Sequence, residues 1–148
     1  MFVVDTNVLI YAAESTFPEH ARCRELVELW RARSGVWCST WSILYEFLRV
    51  VTHPRVFRRP WPITDAWTFI EALLAAPAFE VLVATERHAK TVAQVLGELP
   101  HLAGNIVHDT HTAVLMREHG IRTVYTRDTD FHRFPFLEVR DPMASSDD

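Results

Sequence analysis

MFVVDTNVLIYAAE, residues 1–14, begins with an apolar run, Phe2-Val3-Val4, that is hydrophobic on both faces and stops at Asp5. A strand with one wet face alternates polar and apolar residues. A strand without alternation is covered on both sides, as the central strands of parallel sheets are. Residues 8–14 then read as helix, so the chain passes from buried strand to helix at a carboxylate.

The same handover recurs further along. Val36-Trp37-Cys38 is a second short strand, and Ser39 or Thr40 can cap the next helix, residues 41–51. Residues 79–83 and 123–126 read as the third and fourth strands, and Leu137-Glu138-Val139 as a short fifth. Helical periodicity occupies 19–33, stopped by Ser34-Gly35, and 63–76, with Thr64 as cap and Pro77 as stop. It returns from Thr85 or Glu86 to Leu96, and from His108 or Asp109 to His119, where Gly120 suits the C′ position. Strands alternating with helices imply an α/β fold around a mostly parallel sheet. A chain of 148 residues without a linker or internal repeat is expected to form a single domain over 1–143, with a disordered tail at 144–148.

Composition removes several function classes. No apolar run reaches the ~20 residues that span a bilayer. The N-terminus has no basic region before its apolar run, so a cytoplasmic protein without a signal peptide is expected. Cys23 and Cys38 fit no zinc or disulfide pattern and read as small buried hydrophobes. With four glycines there is no G-x-G-x-x-G, which argues against a dinucleotide site. The net charge of −4 is the wrong sign for broad nucleic-acid binding, yet of the 15 basic residues all but Lys90 are arginine. Arginine's planar fork binds phosphate bidentately and stacks on bases.

Four carboxylates stand where strands hand over to helices or loops: Asp5, Glu46, Asp109 and Asp128. A parallel sheet gathers such strand ends along one edge, where ligands of open α/β sheets bind. Each acid also has an ordinary explanation. Asp5 and Asp109 could cap helices. Asp128 or Asp130, in TRDTDF, could build an Asx-turn. Glu46 could pair with Arg49, but a pair of that kind contributes only ~0.2–0.5 kcal/mol. That is a weak reason to place a charge on so apolar a helix. The residues from Trp41 to Val51 are apolar nearly all round, so burial on most sides is expected, with Glu46 facing either a narrow solvent window or a site. Taken together, clustered carboxylates raise one another's pKa, and a divalent cation removes the conflict. Mg²⁺ is held in this way, by a few carboxylates plus waters and substrate phosphate oxygens.

DTNVLIYA at 5–12, Glu46 within YEFLRV, HDTHTAVL around Asp109 and TRDTDF after a strand together resemble the PIN-domain nucleases, most closely the VapC-type toxins of bacterial toxin–antitoxin pairs. The resemblance covers nearly the whole chain. It implies a three-layer α/β/α fold and an endoribonuclease dependent on Mg²⁺ or Mn²⁺, leaving a 5′-phosphate on transfer or ribosomal RNA. It also implies a homodimer restrained by a cognate VapB-type antitoxin. Carried over by position, Asp5, Glu46, Asp109 and Asp128 are the acidic quartet, Asn7 and Thr126 support it, and Asp130 is a further acid of secondary role. Thr110 departs from the small apolar residue usual after the third acid.

Arg49, Arg55, Arg58 and Arg59, interleaved with Phe57 and Trp61, are candidates for RNA contact; the competing reading is a solvated loop with its aromatics tucked into the core. His108, His111 and His132 lack zincin spacing and are assigned surface or capping roles. Two rival functions remain open. One is a haloacid-dehalogenase-like phosphatase, which needs a second Asp where Asn7 stands. The other is a catalytically inactive PIN-like module that dimerises through the 41–51 helix.

Overall fold

The computed structural model describes residues 1–144. The elements, in chain order, are β1 (Val3–Val4), α1 (Thr6–Ala13), α2 (His20–Ala32), β2 (Trp37–Thr40), α3 (Trp41–Val51) and α4 (Ile63–Leu74). They continue with β3 (Phe79–Leu82), α5 (His88–Glu98), α6 (Ile106–Glu118), β4 (Thr123–Tyr125), a 3-10 turn (Thr129–Arg133) and β5 (Glu138–Arg140). The five strands form one sheet in the order β3-β2-β1-β4-β5, and every pairing is parallel.

The sheet is wholly parallel because every connection carries helix rather than a hairpin. Adjacent residues of a strand point to opposite faces. Val3 and Val4 both have no exposed surface, and all four residues of β2 are buried, so helices cover both faces. That is the three-layer arrangement expected. Phe2, Trp30, Trp37, Phe79 and Tyr125 form an aromatic chain along one side of the sheet, with ring centroids 4.6–5.8 Å apart. Fully burying a side chain as large as Phe47 stabilises the fold by ~1.5–3 kcal/mol.

The order of the strands places the site. From β1 the chain moves to β2 and β3 on one side; from β4 it moves to β5 on the other. The carboxyl ends of β1 and β4 are therefore neighbours whose continuations diverge, which opens a crevice there. Asp5 follows β1 directly, and Thr126 and Asp128 follow β4.

Several boundaries differ from expectation, each for a local reason. α1 starts at Thr6 because Asp5 itself is its N-cap, accepting from Thr6 N at 2.7 Å. α6 starts at Ile106, not at 108 or 109: Gly104, at φ 74°, turns the chain sharply enough for a helix to begin at once. Asp109 thus lies on the first turn of α6 and caps nothing. α4 starts behind Pro62, which leaves Thr64 inside the helix. α5 starts at His88, after Thr85 Oγ1 accepts from Arg87 N, and runs through Gly97 to Glu98. The expected loop after β4 contains the 3-10 turn, capped by Asp128.

α3 is the main departure. Ile43, Leu44, Phe47 and Val51 are buried, but Trp41 and Tyr45 are 41% and 68% exposed. An all-round apolar sequence therefore does not mean all-round burial here. Among the described residues no helix is long and apolar enough to cross a membrane. The expectation of a disordered tail falls almost wholly on residues outside those described.

Candidate active site

Asp5 is held at three points. Its Oδ1 accepts from Thr6 N, and its Oδ2 accepts from Asn7 Nδ2 and Thr126 Oγ1, each at 2.7 Å. Thr126 Oγ1 also accepts from Asn7 Nδ2 at 2.9 Å and from Asp128 N at 2.9 Å. Asn7 Oδ1 in turn accepts from Arg127 N at 3.2 Å. One buried hydroxyl thereby ties the end of β1 to the end of β4. Asp5 is 6% exposed. Burial pushes its pKa up to about 6; the bonds from Thr126 and Thr6 pull the other way, and the charges of Glu46 and Asp128 add to the rise.

Glu46 is half-exposed on α3 and faces the same cleft. Its Oε2 accepts from Thr6 Oγ1 at 2.8 Å, and its Oε1 pairs with Arg49 Nη2 at 3.2 Å. The pair with Arg49 read from the sequence is present, but Thr6 ties Glu46 to the end of β1, a link between distant segments that i,i+3 spacing does not contain.

Asp109, Asp128 and Asp130 lie together, with one carboxylate oxygen of each within 4.8 Å of the others. Asp128 Oδ1 accepts from Asp130 N at 2.9 Å, the Asx-turn anticipated in TRDTDF, and Asp128 faces the cleft while making it. Among the described residues no donor reaches the Asp109 carboxylate. Burial, followed by the charges of Asp5, Asp128, Glu46 and Asp130, pushes its pKa up to about 7. The five acids thus share one electrostatic environment, the conflict foreseen for a parallel sheet edge.

All five line one cleft of about 1020 Å³, together with Thr6, Ser42, Tyr45, Arg49, Asn105 and His108. Of the four arginines singled out, Arg49 lines it. Arg55, Arg58 and Arg59 are exposed on the 53–62 segment and do not. Their interleaved aromatics point inward: Phe57 is 7% exposed and packs on Phe17, and Trp61 donates from Nε1 to Glu14. His111 lies outside the cleft lining and bonds Ser42 Oγ through Nδ1 at 3.2 Å, and His132 is exposed. Sequence reasoning missed Thr6 and Tyr45. For Thr6 a signal existed, a second buried polar residue beside Asp5; for Tyr45 there was none.

The donor set consists of carboxylate oxygens, without a histidine or cysteine among the three closest groups. That chemistry suits a hard cation such as Mg²⁺ or Mn²⁺ rather than Zn²⁺. The phosphatase alternative lacks its acid: Asn7 donates to Asp5 and cannot supply a proton.

The family model for the PIN domain matches residues 2–137. Ribonuclease VapC43 of Mycobacterium tuberculosis is 38% identical over 143 residues, covering 97% of this chain and 96% of its own. Ribonuclease VapC48 of the same organism is 32% identical over 149 residues, covering 95% and 96%. Among solved structures, the Mycobacterium tuberculosis VapC20 toxin, described as cleaving the sarcin–ricin loop, superposes with a TM-score of 0.67 at 20% identity, over 95% of this chain and all of that one. The structure of FitAB bound to a DNA fragment gives 0.69 at 18% identity over 99% of both chains. Fold, motif order and relatives agree: the chain belongs to the PIN-domain family, among the VapC ribonucleases.

Proposed function

We propose that this ribonuclease is an Mg²⁺- or Mn²⁺-dependent endoribonuclease whose cation is held by Asp5, Asp109 and Asp128, with Glu46 and Asp130 beside them. The observation that carries the reading is Asp109. It is a carboxylate with no donor among the described residues, its charge opposed by four neighbouring acids, lining a cleft large enough for a nucleotide. A structural carboxylate is placed where donors satisfy it; one left in this condition suits a site completed by a cation.

When bound, a divalent cation supplies Lewis-acid stabilisation of phosphoryl charge and makes a water more acidic. The chain's own groups do the rest. Thr126 and Asn7 fix Asp5 so that its carboxylate does not rotate. Thr6 fixes Glu46 against the cleft wall, where it would hold the cation directly or through a water. Arg49, exposed and in a weak ion pair, can exchange Glu46 for a phosphate oxygen. Hydrolysis leaves the phosphate on the 5′ side of the downstream fragment.

The further parts of the reading are a structured RNA substrate, transfer or ribosomal, and a role in the cytoplasm as the toxin of a toxin–antitoxin pair. The partners are a VapB-type antitoxin and a second copy of the chain in a homodimer. The relatives named VapC and the shared fold support them.

The test is substitution with a metal readout. Asp5→Asn and Asp109→Asn are each expected to stay folded by circular dichroism, bind Mn²⁺ at least tenfold more weakly by calorimetry, and lose cleavage of a labelled transfer RNA. Full activity in both variants would refute the mechanism. A wild-type melting temperature that Mn²⁺ leaves unchanged would favour an inactive module instead.

A further inference from the structure

Among the described residues, Trp41 and Tyr45 are the one ring pair in which both rings are exposed. Among the described residues no exposed large hydrophobic other than Tyr45 lines the cleft. The two rings stand one helical turn apart on α3, with centroids 6.3 Å apart and planes tilted by 55°. Arg49 stands at the next turn, so 41, 45 and 49 form one stripe along the helix. The stripe runs into the site: Tyr45 and Arg49 both line the acidic cleft, and Tyr45 is next in sequence to Glu46.

The geometry points to Trp41 and Tyr45 as a base-stacking platform that seats unpaired nucleotides of the RNA beside the scissile phosphate. The proposal rests on the ribonuclease reading above and adds the substrate feature that α3 selects, bases out of the duplex. Three features favour RNA over a protein partner. The patch is only two rings long before the stripe turns cationic, which suits nucleobase followed by phosphate better than an amphipathic helix, whose apolar face extends over several turns. Rings tilted by 55° offer two separate faces, matching splayed bases rather than a continuous stack. The patch also adjoins, through Tyr45, the acidic cleft to which the ribonuclease reading assigns the scissile phosphate. The 53–62 segment cannot play this part, because its own aromatics are packed inward.

The test separates stacking from catalysis. Binding of a fluorescein-labelled single-stranded twelve-nucleotide oligoadenylate, and of the same length as a duplex, is measured by anisotropy with Ca²⁺ in place of Mn²⁺, so that the cleft's acids are compensated. Tyr45→Ala and Trp41→Ala are each expected to weaken single-strand binding about tenfold, the scale of a lost base–aromatic stack, and to change duplex binding less than twofold. Tyr45→Phe keeps the ring and is expected to recover the affinity. Trp67→Ala removes another exposed tryptophan, on α4 and away from the cleft, and is expected to change nothing. Unchanged single-strand affinity in Tyr45→Ala would overturn the proposal. So would equal losses on single strand and duplex, or a loss in Trp67→Ala as large as in Tyr45→Ala. If the double variant Trp41→Ala, Tyr45→Ala turned a dimer into a monomer on sedimentation without altering RNA affinity, the face would belong to a second copy and the proposal would also fall. A wild-type protein that cleaves RNA with Mn²⁺ while these variants bind normally would sink the platform alone; one that never cleaves would sink the ribonuclease mechanism.

Discussion

Replacing Asp109 by Asn should abolish activity and make the metal-free protein more stable. In the wild type an oxygen of Asp109 lies within 4.8 Å of oxygens on both Asp128 and Asp130. At that separation two like charges repel by about 3.5 kcal/mol at an effective dielectric of ~20, and by under ~1 kcal/mol in water. Asp109 is only half-buried and its partners are open to solvent, so screening removes most of the larger figure. The net relief is on the order of 2 kcal/mol, a rise of about 4–8 °C in Tm for a chain of this size. The pH dependence comes from the same group. Its pKa is raised in the fold to about 7 from 3.8, so between those values the native state holds a proton that the unfolded chain has lost. Wild-type stability therefore falls as pH rises through this window. Asn carries no such proton, so the advantage of Asp109→Asn should be full at pH 8, clearly smaller at pH 5, and lost only near and below the unfolded value of 3.8, where Asp109 is neutral in both states. Thermal and urea unfolding in EDTA at both pH values would measure this. Saturating Mn²⁺ should reverse the order at pH 8, because the wild type gains more from the ion. A variant no more stable than wild type at pH 8, or one whose advantage is equally large at pH 5, would refute the electrostatic account.

Two further outcomes test the scaffold around the site. Thr126→Val removes the hydroxyl that donates to Asp5 and accepts from Asn7 and Asp128 N; cleavage should fall about 10–100-fold through weaker metal binding, with a loss on the order of 2 kcal/mol in urea unfolding. Glu118→Ala strands Thr85, His88 and their buried surroundings and should cost about 3 kcal/mol, while RNA cleavage at a temperature where the variant is folded stays near wild type. Because the Glu118 pKa is lowered in the fold, its contribution should be intact at neutral pH and disappear as acid protonates it, a loss visible as convergence of the two unfolding midpoints at low pH.

The strands and the identity of the acids were readable because both depend on local facts. Phe2-Val3-Val4 is apolar without alternation, and no environment except a two-sided core satisfies it. Asp5 is the first residue able to end that run. Tertiary exposure was not readable. α3 has one narrow polar stripe, Ser42, Glu46 and Arg49; periodicity marks that stripe but does not tell which of the apolar residues beside it are covered. Which apolar residues remain open depends on where α1, α4 and α6 pack. At 53–62 two readings stood level for the complementary reason. Its arginines and prolines mark a loop correctly, but whether Phe57 and Trp61 face outward depends on Phe17 and Glu14, some forty residues earlier. Asp130 read as a secondary acid because the position it matches varies in role among relatives of this pattern, and sequence distance to Asp128 does not tell whether both carboxylates turn toward Asp109.

Two carboxylates on the same helix show how environment separates structure from function. Glu118, at the end of α6, is a buried acid that accepts from Thr85 N, Thr85 Oγ1 and His88 Nδ1. Burial alone would raise its pKa, but these bonds outweigh burial and lower it. Asp109, two and a half turns earlier on the same helix, has less burial, no donor among the described residues and four acidic neighbours, and its pKa rises to about 7. Donors were available to the fold and were placed at Glu118. At Asp109 the chain instead spends stability to keep a carboxylate unsatisfied, a condition that persists where a ligand completes the site. Exchanging the two environments would stabilise the apoprotein and take from the cleft its one carboxylate that no described donor satisfies, so the fold and the chemistry make opposite demands on the same residue type within one helix.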